Sequence, residues 1–135
     1  MGVEKIDHIG IAVKSIEDSL PYYQDVLGME YLGSEEVVEQ KVRVAFLRIG
    51  DSKFELLEPT SDESPVAKFI EKRGGGIHHI AVSVDSIEDT LEKHREMGSR
   101  LIDNESRTGA HNMRIAFVHP KATSGVLLEL CQESK

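Results

Sequence analysis

Ile6-Asp7-His8-Ile9-Gly10-Ile11-Ala12-Val13-Lys14-Ser15-Ile16-Glu17-Asp18-Ser19-Leu20 returns later in the chain as Ile77-His78-His79-Ile80-Ala81-Val82-Ser83-Val84-Asp85-Ser86-Ile87-Glu88-Asp89-Thr90-Leu91. The blocks lie 71 residues apart and agree at nine of fifteen positions, His8 with His79 and the run Ser-Ile-Glu-Asp among them. A long period with two copies is unlike a solenoid and reads as two halves of one domain spanning residues 1–135. Those halves are modules 1–60 and 75–135, joined by a short helical linker at 61–74.

Working outward, 135 residues are enough for one ordinary core. Hydrophobic residues at 39% and charged residues at 30% describe a globular chain rather than a disordered one. A net charge of −8 argues against nucleic acid, whose recognition needs a basic face. Cys131 is the one cysteine, which excludes an intramolecular disulfide and a cysteine-rich zinc site. There is no apolar leader run and no stretch near the ~18 apolar residues of a membrane span, so a cytoplasmic, reducing setting is expected.

The local patterns repeat with the blocks. Lys5 to Val13 alternates as a strand, with Ile9, Ile11 and Val13 on one face and His8, Gly10 and Ala12 on the other. A helix follows from Ser15, with Asp18 three residues on as in a capping box and Ile16, Leu20, Tyr23 and Leu27 on one face. Pro21 interrupts it, so a short first turn and then a main helix from about Ser19 to a stop at Gly28 are expected. Strands are read at 30–38, 42–49 and 53–57, and a Pro65-led helix precedes Gly74-Gly75-Gly76. The second half repeats this: a strand at 77–84, a helix at 86–97, a short strand at 100–103, a polar loop at 104–112, and strands at 113–119 and 126–132. The fold class is α+β, two tandem βαβββ modules.

The alternation sends His8 and His79 away from the helices, beside small residues. On the last strand of each half stands a carboxylate in apolar sequence, Glu55 in Phe54-Glu55-Leu56 and Glu129 in Leu128-Glu129-Leu130. An uncompensated charge there costs several kcal/mol, roughly, in desolvation. One histidine or one glutamate of this kind is ordinarily a hydrogen-bonded structural residue. A repeat-related set of two imidazoles and two carboxylates points instead to a divalent cation such as Co, Mn, Ni, Zn or Fe held by His8, Glu55, His79 and Glu129. His78 faces the other way and reads as structural, and His94 as a packing or surface group.

These residues resemble the vicinal oxygen chelate (glyoxalase/bleomycin resistance/dioxygenase) superfamily, and within it the methylmalonyl-CoA epimerases. The likeness rests on the two His-containing openings, Glu55-Leu56-Leu57-Glu58-Pro59, Asp62-Glu63-Ser64-Pro65-Val66-Ala67, Phe117-Val118-His119-Pro120-Lys121 and Gly125-Val126-Leu127-Leu128-Glu129-Leu130, and it runs nearly end to end. The resemblance implies an incomplete barrel around a metal site and the same four ligands. It also implies inversion of methylmalonyl-CoA at C2 through a metal-stabilised enolate. Val44 stands where some epimerases have a glutamate proposed as base, which leaves Glu129, Glu55 and His111 as candidates. Lys121, with Arg107 or Arg114, is assigned to the phosphates of an acyl-CoA substrate. A homodimer is expected from the likeness and from an open sheet edge. The alternatives are a glyoxalase I-like isomerase and a metal-free binding module.

Overall fold

The computed structural model describes residues 2–133. The chain resolves into two compact units, one made of His8–His78 and the other of the residues before and after it. The segment ahead of His8 thus belongs with the second module rather than the first.

In the first unit the strands are β1 (Val3–Ala12, from His8 onward), β2 (Glu30–Val37), β3 (Val42–Ile49) and β4 (Ser52–Pro59). β1 runs parallel to β4, β4 antiparallel to β3, and β3 antiparallel to β2, with a register shift between Tyr31 and Gly33. α1 (Ile16–Pro21) starts as expected, with Ser15 Oγ accepting the Asp18 N–H at 3.1 Å. The main α-helix expected from Ser19 does not form. Pro21 has no N–H to give, and from Tyr22 to Val26 the coil widens to a π-helix, with the Leu27 N–H reaching the Tyr22 carbonyl at 3.0 Å. Gly28, at φ +71, then turns the chain. One face of this sheet packs Ile11, Val13, Ala45, Leu47, Phe54 and Leu56 against Ile16, Leu20 and Tyr23. α2 (Pro65–Arg73) is capped by Ser64 and ends at Gly74 in the left-handed region.

The second unit is built from β5 (Gly76–Val84, from His79), α3 (Ile87–Met97), β6 (Arg107–Thr108), β7 (Arg114–Val118) and β8 (Leu128–Gln132). β5 is parallel to β8, β8 antiparallel to β7, and β7 antiparallel to β6. Its core sets Val84, Ala116, Val118 and Leu130 against Ile87 and Leu91 of α3, each fully buried aliphatic contributing about 1.5–3 kcal/mol. The short strand expected at 100–103 is a single bridge, Leu101 to Val118, and β6 forms inside the expected loop instead. The cause is Asp103. Its carboxylate accepts the Phe117 N–H at 2.8 Å, while the Ile102 and Asp103 N–H groups share the Phe117 carbonyl, so a side chain takes the place of a strand ladder. Among the described residues no helix is long and apolar enough to cross a membrane.

The modules repeat their helix anchoring as well as their strand order. The Ile16 N–H is accepted by Glu58 at 2.7 Å, and the Ile87 N–H by Gln132, also at 2.7 Å. The first turn of each helix is thereby tied to the end of its module's last strand, three residues past Glu55 in one case and past Glu129 in the other.

Candidate metal and catalytic site

Parallel pairing decides where the polar side chains meet. In the first unit Gly10 of β1 lies opposite Glu55 of β4, and Phe46 of β3 lies on Glu55's other side. Residues opposite one another share a face, so Glu55 rises from the face that carries His8, away from α1. His8 Nδ1 stands 3.1 Å from Glu55 Oε2, both side chains nearly sealed from solvent. The second unit builds the same rung from Ala81, Glu129 and Phe117. There His79 Nε2 stands 3.0 Å from Glu129 Oε1, again buried.

Each carboxylate has a small residue on one side and a phenylalanine on the other. Gly10 and Ala81 are the small neighbours, which leave space beside the carboxylates on the histidine-bearing face. The neighbouring aromatic then limits water: Phe117 meets His79 edge-on, with ring centroids 5.5 Å apart. Arg107 covers the same phenyl ring at 5.6 Å, and its Nε lies 3.3 Å from Asp103 Oδ1. Asp103 therefore holds both the backbone of Phe117 and the cation laid over its ring.

Two buried imidazole–carboxylate pairs fit a divalent cation by their donor chemistry, since nitrogen and anionic oxygen ligands suit first-row metals. Asp7, which sequence reasoning passed over, is a further buried carboxylate, next to His8 in β1. The signal for it was an acidic residue inside a strand, between Ile6 and His8, much as Glu55 stands between Phe54 and Leu56.

The remaining candidates fall in different settings. Val44 is buried on β3, on the Phe46 and Glu55 face, where it adds an apolar side chain beside the carboxylate. His111 is exposed in a short turn with left-handed backbone, φ 55, followed by Asn112 at φ 59. His78 faces away from His79 and meets Phe69 edge-on at 5.0 Å. His94 binds the Thr90 carbonyl of its own helix through Nδ1 at 2.7 Å. Arg114 gives its guanidinium to Ser106 and Thr108, and Lys121 is exposed in the turn after β7.

Residues 7–117 match the model of the Glyoxalase/Bleomycin resistance protein/Dioxygenase superfamily. An uncharacterized protein of Bacillus subtilis is 46% identical over 96% of this chain and 93% of its own length. The ethylmalonyl-CoA/methylmalonyl-CoA epimerase of Cereibacter sphaeroides is 36% identical over 96% of this chain and 98% of its own. Among solved structures, a variant of Streptomyces coelicolor methylmalonyl-CoA epimerase in complex with 2-nitronate-propionyl-CoA superposes with a TM-score of 0.94 at 37% identity, covering 98% of this chain and 96% of that one. The duplicated βαβββ module, the twice-built His–Glu rung and these likenesses along nearly the whole chain agree: the chain belongs to the Glyoxalase/Bleomycin resistance protein/Dioxygenase superfamily and, within it, to the methylmalonyl-CoA epimerase family.

Proposed function

We propose that this chain inverts methylmalonyl-CoA at C2 by removing the C2 proton and returning one on the opposite face. The observation that carries the reading is the pair of buried rungs, His8 with Glu55 and His79 with Glu129, in a chain so like the epimerases.

In this reading each module contributes one imidazole and one carboxylate, His8, Glu55, His79 and Glu129, to a divalent cation. Bound there, the cation supplies Lewis-acid polarisation of the thioester carbonyl, which lowers the cost of placing negative charge on its oxygen. The protein supplies the proton chemistry. Glu129 is the group we assign to proton removal: it is a carboxylate on the face bearing His79 and is held in place by the Ala81–Glu129–Phe117 rung. Glu55 occupies the equivalent rung of the first module and is the next candidate. Val44 cannot take a proton, and its bulk with that of Phe46 keeps the Glu55 face dry, which strengthens every charge interaction there.

The chain is further read as a homodimer in a reducing compartment. β2, paired on one side by β3, exposes Tyr31 and Leu32, a strand edge that a second copy can cover. Cys131 is a buried free thiol.

The test is a paired assay on the purified protein: conversion of one methylmalonyl-CoA epimer to the other, against formation of a lactoylthioester from methylglyoxal and a thiol. Inversion without lactoylthioester is the expected result. Lactoylthioester alone assigns the chain to glyoxalase chemistry, and neither product assigns it to binding.

A further inference from the structure

The ligand-bearing face of the second unit carries a cation that the proton chemistry described above does not use. β6 extends that face by one strand. Arg107 lies opposite Ile115, and Ile115 opposite Cys131, while Phe117 lies opposite Glu129 one side-chain step along. Paired residues share a face, so Arg107 stands with His79, Ala81, Phe117 and Glu129. Arg114, one residue out of step, gives its guanidinium to Ser106 and Thr108 instead. Among the described strand residues on this face, Arg107 is the one permanent cation.

The guanidinium is set in place without being saturated. Its Cζ lies over the Phe117 ring, 5.6 Å from the centroid, and the same ring meets His79 edge-on. Nε is buried and has no hydrogen-bond acceptor among the described residues. Asp103 Oδ1, 3.3 Å away, serves it as a counter-charge without closing a hydrogen bond. Asp103 is itself fixed, because its other oxygen accepts the Phe117 N–H at 2.8 Å. A guanidinium has five N–H donors in a planar fork, and Asp103 stands at the Nε corner, which leaves the two outer nitrogens for a further anion. The side chain is half-exposed, so such an anion can reach it.

Charge and reach name the anion. In the epimerase reading the reacting group brings a free carboxylate beside C2, and proton loss adds a second negative charge, on a face that already holds Glu129. Such charges in a dry setting repel strongly unless a cation lies close to them. Arg107 starts two strands from Glu129, about 9.6 Å across the sheet, and its side chain returns over Phe117, on the strand between them.

We propose that Arg107 is a specificity-determining residue that holds the free carboxylate of a malonyl-type acyl group through its two outer nitrogens. With C2 against Glu129, that carboxylate, one bond away, takes the place over Phe117 between the base and the guanidinium. The contact is charge-assisted on both sides and can be bidentate, and the apolar floor of Ile115, Phe117 and Cys131 keeps water from weakening it. Asp103 is a positioning residue that keeps the fork turned over the ring. An acyl thioester without the carboxylate lacks this contact. The proposal rests on the reading that the substrate is a methylmalonyl thioester.

The test titrates malonyl-CoA and acetyl-CoA, which differ by the carboxylate alone, into the full-length protein and its Arg107→Gln and Arg107→Lys variants by calorimetry. Wild-type protein should bind malonyl-CoA at least about tenfold more tightly than acetyl-CoA. Arg107→Gln should weaken malonyl-CoA binding about tenfold and keep acetyl-CoA within about twofold. Arg107→Lys keeps the charge and loses the fork, so its malonyl-CoA affinity should fall between the two, and it carries the test if the Gln variant does not fold. Equal losses for both thioesters would give Arg107 to the CoA phosphates and overturn the proposal. So would an unchanged malonyl-CoA affinity in the variants, or no preference in wild-type protein. Failure of the epimerase reading looks different: wild-type protein would leave methylmalonyl-CoA uninverted, while the malonyl-CoA preference and its dependence on Arg107 would still be measured.

Discussion

His79 reaches Glu129 through Nε2 at 3.0 Å, on a rung where Ala81 leaves room beneath the carboxylate and Phe117 closes the side. Removing one member strands the other in a dry setting. His79→Ala should therefore destabilise the metal-free protein by about 3 kcal/mol, read from urea unfolding in chelator. It should also sharply lower metal affinity, as should His8→Ala, Glu55→Ala and Glu129→Ala. His78→Ala loses an edge contact with Phe69, away from the ligand face, and should keep metal affinity within about twofold, a change near 0.4 kcal/mol. Equal loss of metal from the His78 and His79 variants would show that the face assigned to the ligands is wrong.

The helix anchors give a second test. Glu58→Ala and Gln132→Ala each remove the acceptor of a first-turn N–H, at Ile16 and Ile87, and should each cost about 1 kcal/mol of unfolding free energy. Gln132→Glu should hold or raise stability, because a negative charge at a helix N-terminus is favourable by about 0.3–1 kcal/mol. A Gln132→Glu loss as large as that of alanine would contradict the anchoring account.

Gly109 is a packing constraint in the turn before β7. A Cβ there would lie 2.9 Å from Ile115 Cδ1 and 3.0 Å from its Cγ2. Gly109→Ala should cost about 1–3 kcal/mol by overpacking. Adding Ile115→Val removes the closest of these atoms, so thermal unfolding of the pair should recover part of the loss. No recovery would mean that the cost lies in the backbone instead.

Much of this was legible because duplication and alternation act together. A histidine at position three of each block, and a glutamate between apolar residues on each last strand, have one face available to them once those apolar neighbours face the helix. Glu55 and Glu129 could be paired with His8 and His79 on that ground. Two features were not legible, each because a tertiary contact replaced the local rule. The π-helical stretch at Tyr22–Val26 depends on how the chain closes after Pro21. Asp103 captures the Phe117 N–H across fourteen residues and moves the short strand to Arg107–Thr108.

The most direct test of the account follows the C2 hydrogen of methylmalonyl-CoA by NMR in deuterated solvent, with wild-type protein and with metal-replete Glu129→Gln. Gln keeps an oxygen donor and removes the basic carboxylate, so metal content should fall far less than turnover. The account predicts that wild-type protein inverts C2 with uptake of solvent deuterium. It predicts that the variant exchanges at least about 100-fold more slowly. Exchange at the wild-type rate in metal-replete Glu129→Gln, or inversion by wild-type protein with no deuterium at C2, would contradict it.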